Sequence, residues 1–125
     1  MIMKNNIKIT IQVSPLPQFT NPFESKYVFS YTITIVNNGE IGMQLLNRHW
    51  IIQDEMGYIE EVTGKGVVGE QPHLLPGESF EYTSGSVIKT QTGTMKGNYS
   101  MINDDGEHFD VDIPEFVLSE PYTLQ

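Results

Sequence analysis

Hydrophobic and polar residues alternate along most of the chain, which is the pattern of half-buried β-strands. Residues 7–13 carry Ile or Val at every second position, and the segment 26–37 carries an aromatic residue or Ile at every second position from Tyr27 to Ile35. Both segments are predicted as strands with one apolar face. Pro15, Pro17 and Pro22 lie between them, and proline disrupts regular strand pairing, so an irregular crossing is expected there.

The rest of the chain has the same character. Its other strands are predicted at 43–54, 59–63, around Phe80 and Tyr82, and at 97–102 and 109–113. The strand 43–54 has less distinct faces, which is typical of a central strand covered on both sides or of a functional one. No window of eleven residues free of Pro and Gly carries a helical apolar stripe, so little or no helix is expected. About seven short strands separated by turns predict an all-β antiparallel sandwich.

Two details favour an immunoglobulin-like or fibronectin type III-like sandwich. Tyr99 and Met101 have the spacing of a tyrosine corner, with Met101 where such folds keep a cysteine. Trp50 lies on the third predicted strand, where these folds bury a tryptophan, and the Met101 sulfur is expected to pack against its indole. The predicted core therefore joins Trp50, Tyr31, Ile33, Tyr99 and Met101 between two sheets.

Composition and charge indicate the number of domains, the kinds of partner that are excluded and the expected location. The 125 residues are predicted to form one domain, 1–125, with a net charge of −9. Residues 1–50 carry +2 and residues 51–125 carry −11, an acidic surface that repels nucleic acid and membranes and would attract a basic partner or cations. The chain has no cysteine and no apparent signal peptide or apolar span, so a cytoplasmic location is expected.

Residues 64–69 spell G-x-G-x-x-G, the dinucleotide-binding fingerprint, and are called the glycine loop below. That fingerprint requires a following helix, whereas Pro72, Pro76 and Gly77 follow here, and Glu70 stands where a P-loop needs lysine. One interpretation is a connection in which Gly64, Gly66 and Gly69 are required by the backbone. The other is a backbone nest that binds a small anion.

Other catalytic or metal-binding patterns are weak. The histidines at 49, 73 and 108 lack metal-ligand spacing, and no cysteine or G-x-S-x-G nucleophile is present. The acidic segment 103–107 is read as a solvated turn, with weak cation binding as the alternative. No enzyme activity, cofactor or metal site is predicted.

Four segments together resemble bacterial ApaG proteins: residues 47–52, 64–72, 75–85 and 93–101, as does the ending 113–118. The resemblance covers nearly the whole chain. It implies a single ApaG domain with a fibronectin type III-like fold, a domain that resembles a protein-interaction module where it is appended to larger proteins. Bacterial members are associated by name with cobalt resistance and magnesium efflux, and the family carries no agreed biochemical activity.

The leading hypothesis is a non-enzymatic module that binds a protein partner. Arg48 and His49 are the candidate contact residues, one of them facing outward, together with Gly64, Gly66 and Gly69 of the glycine loop. The alternative is a protein that binds a small ligand, an anion or a divalent cation through the glycine loop or the acidic surface. Partner identity and oligomeric state stay open at this point.

Overall fold

The computed structural model describes residues 3–120. Eight strands, β1 to β8 in chain order, are joined by short turns, and the crossing from β1 to β2 contains two one-turn 3-10 helices, Pro17–Phe19 and Pro22–Glu24. No helix in this part of the chain has the length and apolar character needed to cross a membrane. The strands are β1 Ile7–Pro15, β2 Tyr27–Asn37, β3 Met43–Asp54, β4 Ile59–Lys65, β5 His73–Leu74, β6 Ser79–Ile88, β7 Thr92–Asn103 and β8 His108–Ser119.

The strands form two antiparallel sheets that face each other as a sandwich. One sheet has the order β1-β2-β6, and the other has the order β4-β3-β7-β8, with the two-residue β5 also pairing with β3. On one side of the sandwich β1 lies against β8, which closes the gap between the sheets. On the opposite side β4 and β6 are the edge strands, and among residues 3–120 they do not pair with each other. The sandwich therefore has one closed and one open side.

The predicted core is confirmed. All five of the predicted residues are buried in one cluster between the sheets: Trp50, Tyr31, Ile33, Tyr99 and Met101. The Trp50 indole meets three rings edge-on, those of Tyr31 at 5.5 Å, Phe116 at 5.9 Å and Tyr99 at 6.5 Å between centroids. Such edge-to-face pairs add roughly 0.5–1.5 kcal/mol each beyond their apolar burial.

The tyrosine-corner interpretation is wrong in its details. The Tyr99 hydroxyl does not reach back to the backbone; it pairs with the Tyr82 hydroxyl at 2.5 Å, across the gap between the sheets. Met101 is fully buried but lies opposite Leu45, whereas Trp50 lies opposite Gly97. Four residues along a strand span roughly 13 Å, so the expected sulfur–indole contact is replaced by the aromatic rings around Trp50.

Two bulges change which side chains face the core. In β3 the register shifts at Leu46, so the inward face passes from Met43 and Leu45 to Arg48 and Trp50. This shift explains why the sequence shows no distinct faces in that strand. In β8 the register shifts at Pro114, which allows the strand to continue to Ser119 beyond its predicted end at Ile113.

Candidate functional site

A cleft opens between the two sheets on the β4/β6 side of the sandwich. Its volume is ≈ 440 Å³, within the range of roughly 300–1,000 Å³ that is common for binding pockets. Its floor is aromatic and its walls are the two edge strands. The lining residues are Tyr31, Arg48, Trp50, Ile52, Glu60, Val62, Ser84, Gly85, Ser86, Val87 and Met95. We call this opening the inter-sheet cleft.

Arg48, the only arginine of the chain, lines the inter-sheet cleft. It is partly buried, and its Nη1 donates to the carbonyls of Gly66 at 2.9 Å and Lys65 at 3.2 Å. Gly64 lies directly opposite it on β4, and a Cβ at that position would come within 2.7 Å of three guanidinium atoms. Gly64 therefore leaves the space in which the guanidinium lies.

His49 points the other way, onto the outer face of the larger sheet. Its Nε2 lies 3.1 Å from a carboxylate oxygen of Glu61 on the neighbouring strand β4. The shallow surface around it is polar and includes Asn98 and Thr63. Of the two strand residues predicted as contacts, only Arg48 lines the inter-sheet cleft, whereas both border the shallow pocket on the outer face, together with Gly64.

The glycine loop is a tight hairpin that leads from β4 toward β5. Gly66 has φ +66°, and a Cβ there would lie 2.3 Å from the Glu70 carbonyl oxygen. Val67 is fully buried in the core, and Val68 and Gly69 form the tip with φ +43° and +80°. Positive φ at both tip residues is the geometry of a type I′ turn, which rarely has a β-branched first residue.

The amide groups of Gly66 and Val67 in the glycine loop already donate to backbone carbonyls. Gly66 N–H donates to the Leu46 carbonyl at 2.8 Å, and Val67 and Glu70 exchange a pair of backbone hydrogen bonds at 2.8 and 2.9 Å. An anion nest needs successive N–H groups directed at a ligand. Gly66 and Gly69 therefore serve the backbone conformation of the loop, and Gly64 leaves space for Arg48. Ligand binding by Gly64, Gly66 or Gly69 stays a prediction.

Three tyrosine hydroxyls lie near the inner end of the cleft. Burial raises the pKa of Tyr82 and of Tyr99, which share the hydrogen bond described above. Burial also raises the pKa of Tyr31, and there the Ser84 hydroxyl and the positive charge of Arg48 act in the opposite direction. These hydroxyls stay protonated at neutral pH, so the charge of Arg48 is not cancelled by a neighbouring phenolate.

The acidic side chains of the predicted turn at 103–107 are engaged with other parts of the chain. Lys4 contacts Asp105 at 2.7 Å and Glu107 at 2.5 Å, and His73 contacts Asp104 at 2.7 Å. The side chains of both ion pairs of Lys4 are about half exposed, so each is worth little in stability. Residues 3–120 contain no group of three or more His, Asp or Glu placed to share a metal ion.

The four edge strands differ in how they are protected against pairing with another chain. Natural edges are protected by charges, prolines, bulges or coverage. Strand β4 carries three charged residues, β8 carries acids and the bulge at Pro114, and β1 lies against β8. Strand β6 is ten residues long and has one charged residue, Glu81, which accepts a hydrogen bond from Thr34 on β2. Strand β6 is thus the least protected edge.

Sequence reasoning identified Arg48 but missed the wall opposite it. Ser84 and Ser86 of β6 line the cleft, as does Glu60 of β4. The one signal available in the sequence was the scarcity of charge and the lack of proline from Ser79 to Ile88.

Comparison with known proteins agrees with this architecture. Residues 17–103 match the ApaG domain, DUF525, while β1 and β8 flank that range and complete the two sheets. The Protein ApaG of Dechloromonas aromatica is 53% identical over 98% of this chain and 99% of its own, and that of Nitrosomonas europaea is 53% identical over 97% and 95%. The crystal structure of the ApaA protein from Bordetella pertussis has a TM-score of 0.95 at 41% identity, covering 98% of this chain and all of the other. The chain belongs to the ApaG family.

Proposed function

We propose that this protein is a non-enzymatic interaction module and that it binds a cytoplasmic protein partner on the open side of its sandwich. The observation that carries the proposal is that β6, the least protected edge strand, lies beside the inter-sheet cleft. An edge strand offers a row of backbone donors and acceptors to an incoming strand, and side-chain pockets beside it supply specificity.

The surroundings of β6 favour this side over the other three edges. Val87 is 56% exposed near the end of β6, and Tyr58 is 57% exposed at the same end of the cleft. Aromatic and apolar side chains beside an unpaired edge supply the anchors that dominate binding energy in protein interfaces. An incoming strand on β6 would cover them and the cleft together.

Filling the cleft from β6 tests the proposal. Ser84 points into the cleft, whereas Thr83 is exposed on the opposite face of the same strand. A tyrosine at Ser84 would occupy the space beside Tyr31, and a tyrosine at Thr83 would leave it open. Proteins that co-purify with the tagged chain from its native lysate should be quantified for Ser84→Tyr, Thr83→Tyr and the parent chain.

We expect Ser84→Tyr to deplete the specific partner at least about tenfold and Thr83→Tyr to retain it, because only the first variant blocks the cleft. Urea unfolding of both variants checks that each is folded. Equal retention of the partner by the two folded variants would contradict the proposal.

A further inference from the structure

We propose that the inter-sheet cleft is a carboxylate-reading site: it takes an extended peptide that adds to the β6 edge and places one carboxylate against Arg48. The carboxylate is either an Asp or Glu side chain or the peptide's own C-terminus. This inference rests on the proposed function and specifies the chemistry of the partner.

Arg48 carries a positive charge that is not paired with a carboxylate within residues 3–120. An unpaired charge is costly to remove from water, and Arg48 is partly buried, so an anion bound there would be stabilised by its guanidinium. Every ion pair found within residues 3–120 involves Lys4, His49 or His73, and none involves Arg48. Its known partners are two neutral backbone carbonyls.

The two carbonyls use only one of the three guanidinium nitrogens of Arg48. Both hydrogen bonds to Lys65 and Gly66 come from Nη1, so the Nη2 and Nε groups carry the remaining N–H donors. Arginine binds carboxylate in a bidentate way through such a pair of parallel donors. The two carbonyls hold the guanidinium in place before a ligand arrives, which lowers the entropy cost of binding.

Two features of the backbone build this arrangement. The bulge at Leu46 turns Arg48 inward, and Gly64 on the facing strand provides the space above the guanidinium. Both features are needed, because a regular β3 would have directed Arg48 to the outer surface. An arginine that served only solubility would require neither the bulge at Leu46 nor a glycine at position 64.

The position of β6 favours a peptide over a small acid. Ser84 of β6 lies opposite Tyr31 in the sheet register and lines the same cleft as Arg48. A peptide strand hydrogen-bonded to the free edge of β6 would therefore pass close to the guanidinium. Glu60 lies at the other end of the cleft wall, four residues or roughly 13 Å from Gly64, so the acid-binding function is confined to the Arg48 end.

The overall charge adds a further condition. The net charge of −9 repels a strongly acidic peptide, although screening limits this repulsion to roughly 8–10 Å at physiological salt. We therefore expect a single carboxylate in an otherwise neutral or basic sequence. A peptide with several acidic residues would still make only one contact with Arg48, and its other carboxylates would be repelled by the negative surface of the protein.

Selection from random peptide libraries tests the inference. Two dodecapeptide libraries, one displayed with a free C-terminus and one with a blocked C-terminus, are selected against the intact protein. Enrichment of one Asp or Glu in both libraries indicates side-chain recognition, and enrichment only with the free terminus indicates terminal recognition. Affinities of selected peptides are then measured for the parent chain, Arg48→Met and the control Lys96→Met.

We expect Arg48→Met to weaken binding at least about tenfold, because truncating one partner of a desolvated charge pair is costly. Lys96→Met, which removes an exposed cation outside the cleft, should change the affinity less than about twofold. Amide shifts of labelled protein should map the peptide to residues 79–88. Peptides that map there without an acid preference, or with no effect of Arg48→Met, would overturn this inference and leave the proposed function intact. Peptides that map elsewhere, or binding of small carboxylates such as glutarate without any peptide binding, would overturn both.

Discussion

Replacing Gly66 by alanine tests whether the glycine loop is a backbone requirement. The added Cβ would lie 2.3 Å from the Glu70 carbonyl oxygen, and φ is +66°. The left-handed conformation costs an alanine roughly 1–2 kcal/mol. Relieving the contact requires Glu70 to move away, which breaks its two hydrogen bonds with Val67, at about 0.5–1.5 kcal/mol each. The expected loss of unfolding free energy is about 2–5 kcal/mol.

Gly77→Ala is the matched control. Gly77 has φ +89°, and no atom lies within 4 Å of a Cβ placed there, so it carries the conformational cost without the contact. The gain from a stiffer unfolded chain is the same for both variants and cancels in the comparison. The difference between them, about 1–3 kcal/mol, measures the close approach of Glu70 alone.

Urea unfolding followed by fluorescence is a direct assay, because Trp50 is the only tryptophan and is 2% exposed. The unfolding free energy is obtained by linear extrapolation for each variant. Equal midpoints for Gly66→Ala and Gly77→Ala would refute the reasoning, because the contact with Glu70 would then carry no energy.

Four further measurements test the core and the glycine loop. Met101→Ala should lower the unfolding free energy by about 2–5 kcal/mol in the same assay, because Met101 is fully buried, and an unchanged midpoint would contradict its place in the core. Tyr99→Phe should cost about 1–3 kcal/mol by leaving the Tyr82 hydroxyl unpaired, and the double variant with Tyr82→Phe should cost less than the sum of the single variants. Because burial raises the pKa of both tyrosines above the usual 10.0, their contribution to stability is present below pH 10 and declines as the pH rises above it. The double variant should show a weaker alkaline decline in unfolding titrations, and an unchanged slope would contradict this. NMR titration with NAD, ATP or diadenosine polyphosphates should show no saturable shifts in the glycine loop, since the Gly66 and Val67 amides are engaged and Glu70 adds repulsion. A dissociation constant below about 100 μM there would contradict this prediction.

The strand pattern could be predicted because alternation is a local property of the sequence. Strand β2 shows this most clearly, since every second residue from Phe29 to Ile35 is buried as predicted. The two bulges could not be predicted, because a one-residue change of register depends on the partner strand. The bulge at Leu46 directs Arg48 inward, so the most informative feature of the site was not visible in the sequence.

The role of the tyrosines shows the same limit. The spacing of Tyr99 and Met101 correctly indicated two inward-facing residues on one strand. It could not indicate that the Tyr99 hydroxyl meets Tyr82, which is 17 residues away and on the other sheet. Contacts between sheets depend on how the whole sandwich assembles, whereas spacing within a strand reports only which face a residue occupies.

We propose the β6 edge as the place where this protein meets its partner. A photo-crosslinking amino acid placed at Thr83 on β6, and at Thr10 on β1 as the control, tests it inside the cell. Both are exposed threonines on the edge strands of one sheet, paired with Thr32 and Thr34 of β2. We predict that position 83 gives a discrete crosslinked partner several-fold more strongly than position 10, and that Ser84→Tyr suppresses this product. Equal crosslinking from the two edges, or a product from position 10 alone, would contradict the claim.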